Sequence, residues 1–156
     1  GGEGTYFFSD GGRYVGGFQS GEFSGRGKCS VPNGKYFDGM YAKDKGNGKG
    51  KTVHPNGNRY IGNFSNGMPN GRGKNIFADG SMYDGQFKDD KFHGFGKWFN
   101  AEGTLTYYGK YKDGVSIDEG NGSLFDDFVA ATAIATGKKV AVGVAKKVFK
   151  RKKKRR

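Results

Sequence analysis

Apolar and polar positions alternate along most of this chain, in short packets punctuated by glycine. Tyr60-Ile61-Gly62-Asn63-Phe64 is one such packet, followed by Gly67 and then by Gly71-Arg72-Gly73. In a strand, residues i, i+2 and i+4 share a face, so Tyr60, Gly62 and Phe64 point the same way. The glycine leaves a bare patch between two rings, and a ring from the adjacent strand is expected to lie on it. That requirement explains a residue that otherwise weakens strands. The packet is periodic. Tyr14, Phe37, Tyr60 and Tyr83 stand 23 residues apart, followed by Gly16, Gly39, Gly62 and Gly85 and then by Phe18, Tyr41, Phe64 and Phe87. The pair Gly25/Gly27 recurs as Gly48/Gly50, Gly71/Gly73 and Gly94/Gly96. A fixed period of about 20–50 residues marks a repeat architecture.

Each repeat reads as two short strands, the second following the glycine pair. Pro32-Asn33-Gly34, Pro55-Asn56-Gly57, Asp79-Gly80 and the weaker Glu102-Gly103 predict type I′ hairpin turns, with positive φ at both centres. The expected fold is mostly β: an elongated, single-layer antiparallel meander of about five hairpins, each touching only its neighbours.

The pattern changes after Gly122. Ser123 and Asp126 resemble a capping box, and Leu124, Phe125, Phe128, Val129, Thr132 and Ala135 share one side of a helical wheel. Asp126 and Asp127 sit near the N-terminus, where the helix dipole favours acids. Beyond Gly137 a new stripe of Val140, Ala141, Val144, Ala145, Val148 and Phe149 opposes Lys139, Lys146, Lys147 and Lys150, which predicts a break near Gly137. The expected division is a repeat array over 1–122, a helix over 123–137 covering the exposed end of the array, and a basic amphipathic helix with a polybasic end over 138–156.

The 23-residue frame resembles the MORN repeat, whose pattern is Tyr-x-Gly-x-aromatic-x-x-Gly followed by Gly-x-Gly. The likeness runs from about Gly2 to Gly120 and holds register through four whole copies. The second aromatic, often Trp in the family, is Phe or Tyr here, and Asp44 and Asp90 replace the mid-repeat glycine. A further copy at Tyr107, Gly109, Tyr111 and Gly114 arrives one residue late and reads as a decaying end.

Composition sharpens this picture. Of 156 residues 31 are Gly and only 33% are hydrophobic, too few for a thick two-layer core, so the 15% aromatic content must supply most of the burial. The single Cys29 excludes an intramolecular disulfide. No uncharged apolar run approaches the roughly 18 residues of a spanning helix. Residues 138–156 hold 11 Lys/Arg and no acid, while the remainder holds 16 bases against 15 acids. The high pI therefore belongs to the tail. The chain opens at Gly1-Gly2-Glu3-Gly4, in register with a preceding copy and without Met, which predicts a piece of a longer protein.

Enzymatic chemistry finds little support. Gly46-Asn47-Gly48-Lys49-Gly50-Lys51-Thr52 approaches a phosphate-binding loop, but Lys45 stands where its first glycine belongs. The repeat itself explains the Gly-Lys step, since Gly27-Lys28, Gly73-Lys74 and Gly96-Lys97 share its register, and a strand follows where such a loop needs a helix. His54, at a strand end, and His93, in a loop, occupy different repeat positions with no ligand spacing. Cys29 has no partner pattern for nucleophilic catalysis. No catalytic residue, metal or cofactor is expected.

Two features remain for binding. The aromatic rows (Tyr14, Phe18, Phe37, Tyr41, Tyr60, Phe64, Tyr83, Phe87, Tyr107 and Tyr111) are expected to pack the sheet, and an exposed aromatic groove would suit a helix or an extended peptide of a protein partner. The tail is expected to meet an anionic phospholipid surface through Lys139, Lys146, Lys147, Lys150, Arg151, Lys152, Lys153, Lys154, Arg155 and Arg156, while Val144, Val148 and Phe149 insert shallowly. The leading expectation is a non-enzymatic scaffold, cytoplasmic and held peripherally at a membrane by its tail, with self-association open; the resemblance supports it, since proteins of that family are often membrane-linked organisers. The rivals are a regulatory segment of a larger enzyme, of lipid-kinase or protein-methyltransferase type, and a nuclear or nucleic-acid-binding protein using the basic end. Phe149 is the tail's one aromatic, so base stacking is poorly served and nucleic acid is disfavoured.

Overall fold

The computed structural model describes residues 1–117. They form one antiparallel sheet in which every strand pairs with the next in sequence. The strands are β1 (Gly2–Phe7), β2 (Arg13–Gln19), β3 (Glu22–Ser30), β4 (Tyr36–Ala42), β5 (Lys45–Val53), β6 (Arg59–Ser65), β7 (Met68–Ile76), β8 (Met82–Lys88), β9 (Lys91–Phe99), β10 (Leu105–Lys112) and β11 (Val115–Ser116). The single-layer meander expected from the period is therefore present, and it extends through the decaying copy into β11. The predicted helices and the boundaries at 122/123 and 137/138 lie outside the described residues.

The second strand of each repeat contains the glycine pair rather than following it. Its first glycine works as a bulge. Gly25, Gly48, Gly71 and Gly94 have φ between 70° and 98°, a region open to glycine because it has no Cβ. Where a repeat's own two strands pair, the register jumps: Gly62 faces Gly73, but Phe64 faces Pro69. The outer neighbour pairs without a jump, Gly71 facing Phe87 and Gly73 facing Gly85. Such bulges bend a strand and increase its twist.

The turns differ from expectation in an instructive way. At Asn33-Gly34, Asn56-Gly57, Asp79-Gly80 and Glu102-Gly103 only the glycine has positive φ. The N–H of Val31 bonds the Lys35 carbonyl, and that of Gly34 bonds the Val31 carbonyl. These are three-residue connections, a type I turn closed by a left-handed glycine. The Asn33, Asn56 and Asp79 side chains accept from the backbone two residues on, which holds the type I geometry. The tight two-residue turns lie at the other end of the sheet, at Ser20-Gly21, Lys43-Asp44, Asn66-Gly67, Asp89-Asp90 and Asp113-Gly114, where both centres have positive φ. Here neighbouring repeats are tied together: Asp44, Gly67, Asp90 and Gly114 donate their N–H to the carbonyls of Phe23, Gly46, Pro69 and Phe92.

The late fifth copy is absorbed locally. Leu105 faces Phe99 and Tyr107 faces Trp98, leaving Thr106 as an extra residue. Its hydroxyl donates to the Trp98 carbonyl, so the insertion becomes a β-bulge and Tyr107 regains the register of Tyr83.

Candidate functional site

The ten rings singled out in the sequence form one unbroken series on a single face. In spatial order it runs Phe18, Tyr14, Tyr41, Phe37, Phe64, Tyr60, Phe87, Tyr83, Tyr111, Tyr107. Each successive pair meets edge to face, with centroids between 4.6 and 6.3 Å apart. Edge-to-face pairs set the positive rim of one ring against the negative face of the next. The first aromatic of one repeat thereby touches the second aromatic of the following repeat, so the series joins the repeats as well as filling each one.

The rings lie on glycine, though not on the one anticipated. The Tyr60 ring leans across to Gly73 on the next strand, where an added Cβ would stand 2.5 Å from the ring. Tyr14 lies over Gly27 and Tyr83 over Gly96 in the same way. At Gly62 the close neighbour is backbone, with the Gly73 Cα 2.5 Å and the Arg72 carbonyl 2.6 Å from an added Cβ. So the second glycine of each pair receives the ring, and the mid-strand glycine lets two strands approach. The hydroxyls use the register jump: Tyr14, Tyr60 and Tyr83 donate to the Gly17, Asn63 and Gln86 carbonyls, inside the jump of their own strands. Burial pushes the Tyr60 and Tyr83 hydroxyls up to about 12 by desolvation.

This face is a core, not an open aromatic groove. Tyr14 and Tyr83 are fully buried, and Tyr41, Tyr60, Phe64, Phe87 and Tyr111 nearly so. Phe23 stacks on Tyr14 and Phe92 on Tyr83 with centroids 3.8 and 4.1 Å apart. The same position is Gly46 in the second repeat, and there Phe37 stays half-buried. Phe18 and Tyr107, at the ends of the series, are half-buried too.

The opposite face carries the charge, and sequence reasoning passed over it. One cross-strand row runs Lys28, Asp38, Lys51, Ile61, Lys74, Asp84, Lys97, Tyr108. The signal was available: the Gly-Lys step recurs in register, and strand alternation turns each of those lysines away from the rings. A groove on this face is lined by Arg26, Lys49, Lys51, Arg72 and Lys74 with Asp38 and Asp84, over Ile61, Ile76 and Met82. Arg26 pairs with Asp38 at 3.1 Å and Arg72 with Asp84 at 3.6 Å. Among the described residues Lys49, Lys51 and Lys74 make no salt bridge. At the far end of this face Phe95, half exposed, stacks on Tyr108 at 5.6 Å.

The remaining candidates separate. Gly50-Lys51-Thr52 sits inside β5, with no helix after it. His54 opens a turn, donating its N–H to the Asn58 carbonyl. His93 lies in β9 rather than in a loop, with Nδ1 buried and unpartnered. Among the described residues no group of three or more His, Cys, Asp or Glu gathers as a metal site. Cys29 is half-buried and its thiol is pushed up by desolvation, which disfavours the thiolate. The basic residues 139–156 and Val144, Val148 and Phe149 fall outside the described residues.

No curated protein matches the chain. The family model described as "MORN repeat" matches residues 1–13, 14–36, 37–59, 60–82 and 83–105. Its units begin at the same aromatics that begin β-hairpins here, and its short first match covers β1, the second strand of a repeat. With the 23-residue frame, the bulged glycine pair and the ring series all in that register, this chain belongs to the MORN-repeat family.

Proposed function

We propose that this chain is a non-enzymatic MORN-repeat scaffold that binds a protein partner through its sheet and attaches peripherally to anionic membrane through its basic end. The observation that carries the membrane half is the placement of charge: 11 Lys/Arg and no acid within residues 138–156, against near balance elsewhere. Near an anionic leaflet each basic residue contributes about 1 kcal/mol, so this end alone supplies several. Val144, Val148 and Phe149 alternate with Lys146, Lys147 and Lys150, a pattern suited to shallow insertion. The protein-binding half is supported by the sheet itself. With the rings buried on one face, the charged face is left as a long surface built by repetition, and surfaces of that kind serve recognition in other repeat proteins.

The test is co-sedimentation of the full chain with vesicles rich in phosphatidylserine or phosphoinositide, beside neutral vesicles. Changing Lys150–Arg156 to Gln should remove most binding to anionic vesicles, leave the melting temperature unchanged, and flatten the salt dependence of what remains, because the screening length is about 8 Å near physiological ionic strength. Undiminished sedimentation of that variant refutes the assignment.

A further inference from the structure

The middle of the array is short of acid. Residues 45–78 hold Lys45, Lys49, Lys51, Arg59, Arg72 and Lys74 and no Asp or Glu. They build β5, β6 and β7. The carboxylates flanking these strands on the charged face, Asp38 on β4 and Asp84 on β8, are held by Arg26 and Arg72. Lys49, Lys51, Arg59 and Lys74 enter no salt bridge among the described residues. Lys51 leans over Tyr36, 5.8 Å from the ring centroid, and the other three are exposed.

An apolar row lies beside these bases. Across the strands it runs Tyr36, Val53, Arg59, Ile76, Met82, two residues along from the row of Lys51, Ile61 and Lys74. Val53, Ile76 and Met82 are half-buried, and Ile61 is 43% exposed. The groove crosses the strands rather than following them, since its lining runs from Arg26 on β3 to Asp84 on β8. Its form and charge select one kind of occupant. Every strand from β3 to β8 is hydrogen-bonded on both sides, so no free edge is present there for an added strand. An extended peptide laid across the face would leave its own backbone groups without partners, whereas a helix satisfies its own. The two carboxylates inside the groove repel a uniform polyanion. We propose that this face receives an acidic amphipathic helix of a partner protein, lying along the array. This deepens the protein-binding half of the reading above and rests on it.

The spacings fit a helix. From β3 to β8 are five strand spacings of about 4.8 Å, or about 24 Å, the length of about 16 helical residues. Lys51 and Lys74 stand two strands apart, about 9.6 Å, close to the roughly 10.5 Å of seven helical residues. Val53 and Ile76 are also two strands apart, and Met82 is one strand further. The partner helix therefore carries apolar residues at heptad spacing against Val53, Ile76 and Met82. Its acids, one heptad apart on the flank, meet Lys51 and Lys74. Arg59 and Lys49 lie on either side of that line and set the limits of the acidic flank.

The probe is a synthetic helix of three heptads, with leucine at the first and fourth positions and glutamate along one flank, added to the full chain. Backbone amide resonances should shift at Lys49–Val53, Arg59–Ile61 and Lys74–Ile76. Lys51→Glu combined with Lys74→Glu should weaken the complex at least about tenfold, because like charges across an interface are strongly disfavoured. The same variant should bind a peptide with lysine in place of each glutamate, a rescue that an unfolded sheet would not give. Equal affinity for a proline-broken peptide of the same charge would overturn the helix and leave the protein-binding reading standing. Failure of every peptide to shift these resonances would overturn both. If inositol hexakisphosphate or a short DNA duplex shifts them and the helix does not, the face belongs to a polyanion and the proposal falls with the protein-binding reading.

Discussion

Gly73→Ala isolates the contact on which the repeat depends. The new Cβ stands 2.5 Å from Cε2 and Cζ of Tyr60, a separation no packed methyl adopts. The ring is held from both sides, with Phe64 at 5.0 Å and Phe87 at 4.9 Å, and by its hydroxyl donating to the Asn63 carbonyl at 2.8 Å. If it stays, overpacking costs about 1–3 kcal/mol. If it swings out, two ring contacts of about 0.5–1.5 kcal/mol each are lost, together with a hydrogen bond of about 1 kcal/mol. Replacing a strand glycine returns about 0.5–1 kcal/mol of backbone entropy. The expected net loss is about 2 kcal/mol, a fall in melting temperature of about 4–8 °C for a chain of this size. The assay is thermal and urea unfolding of four proteins: the unaltered chain, Gly73→Ala, Tyr60→Leu and the double variant. Leucine removes the ring above Gly73, so the alanine should cost little in that background. An equal cost in both backgrounds would refute the ring-on-glycine account. Gly62→Ala serves as the contrast: its nearest clashes are with the Gly73 Cα and the Arg72 carbonyl, the Tyr60 hydroxyl coming third at 2.8 Å, so most of its cost should persist when Tyr60 is changed.

Three further outcomes follow from the same geometry. Tyr60 and Tyr83 keep their protons in the fold up to about pH 12, whereas the unfolded chain ionises near the ordinary value of 10.0. Their contribution is therefore complete below pH 10 and should fall away as pH rises from about 10 to 12; melting temperatures that stay level while tyrosinate absorbance grows would contradict this. Asp90 adopts φ +67°, a left-handed conformation costing a residue with a Cβ about 1–2 kcal/mol, so Asp90→Gly should raise stability by about 1 kcal/mol in urea unfolding. Asp44 has the same φ, but its carboxylate accepts from the Phe23 N–H at 2.7 Å. Asp44→Gly should therefore give no gain, and a gain equal to that of Asp90→Gly would show that this bond contributes nothing.

Much of this architecture is written in one dimension. A period of 23 with glycine and aromatic residues in fixed slots dictates strands, their antiparallel order and which rings share a face, because each strand pairs only with its sequence neighbours. Local chemistry can encode that, since no long-range choice of partner has to be made. The ten aromatic positions proved to be one packed series for the same reason. What the sequence left open was decided between strands. Which glycine lies under Tyr60 depends on a register jump at Gly71 that alternation alone does not announce, because a bulge is a relation between two chains of hydrogen bonds and not a property of one. The turns were misassigned on similar grounds. Asn-Gly fits both a two-residue and a three-residue connection, and the pairing of Val31 with Lys35 selects the longer. The charged groove is the clearest case. Each Gly-Lys step was visible alone, but a surface on which three lysines stand outside any salt bridge among the described residues exists only when β5, β6 and β7 lie side by side and Asp38 and Asp84 are already engaged by arginine. Sequence determined the row that is buried, because burial follows from periodicity; the tertiary structure decided what the other face offers, because uncompensated charge is a sum over neighbours.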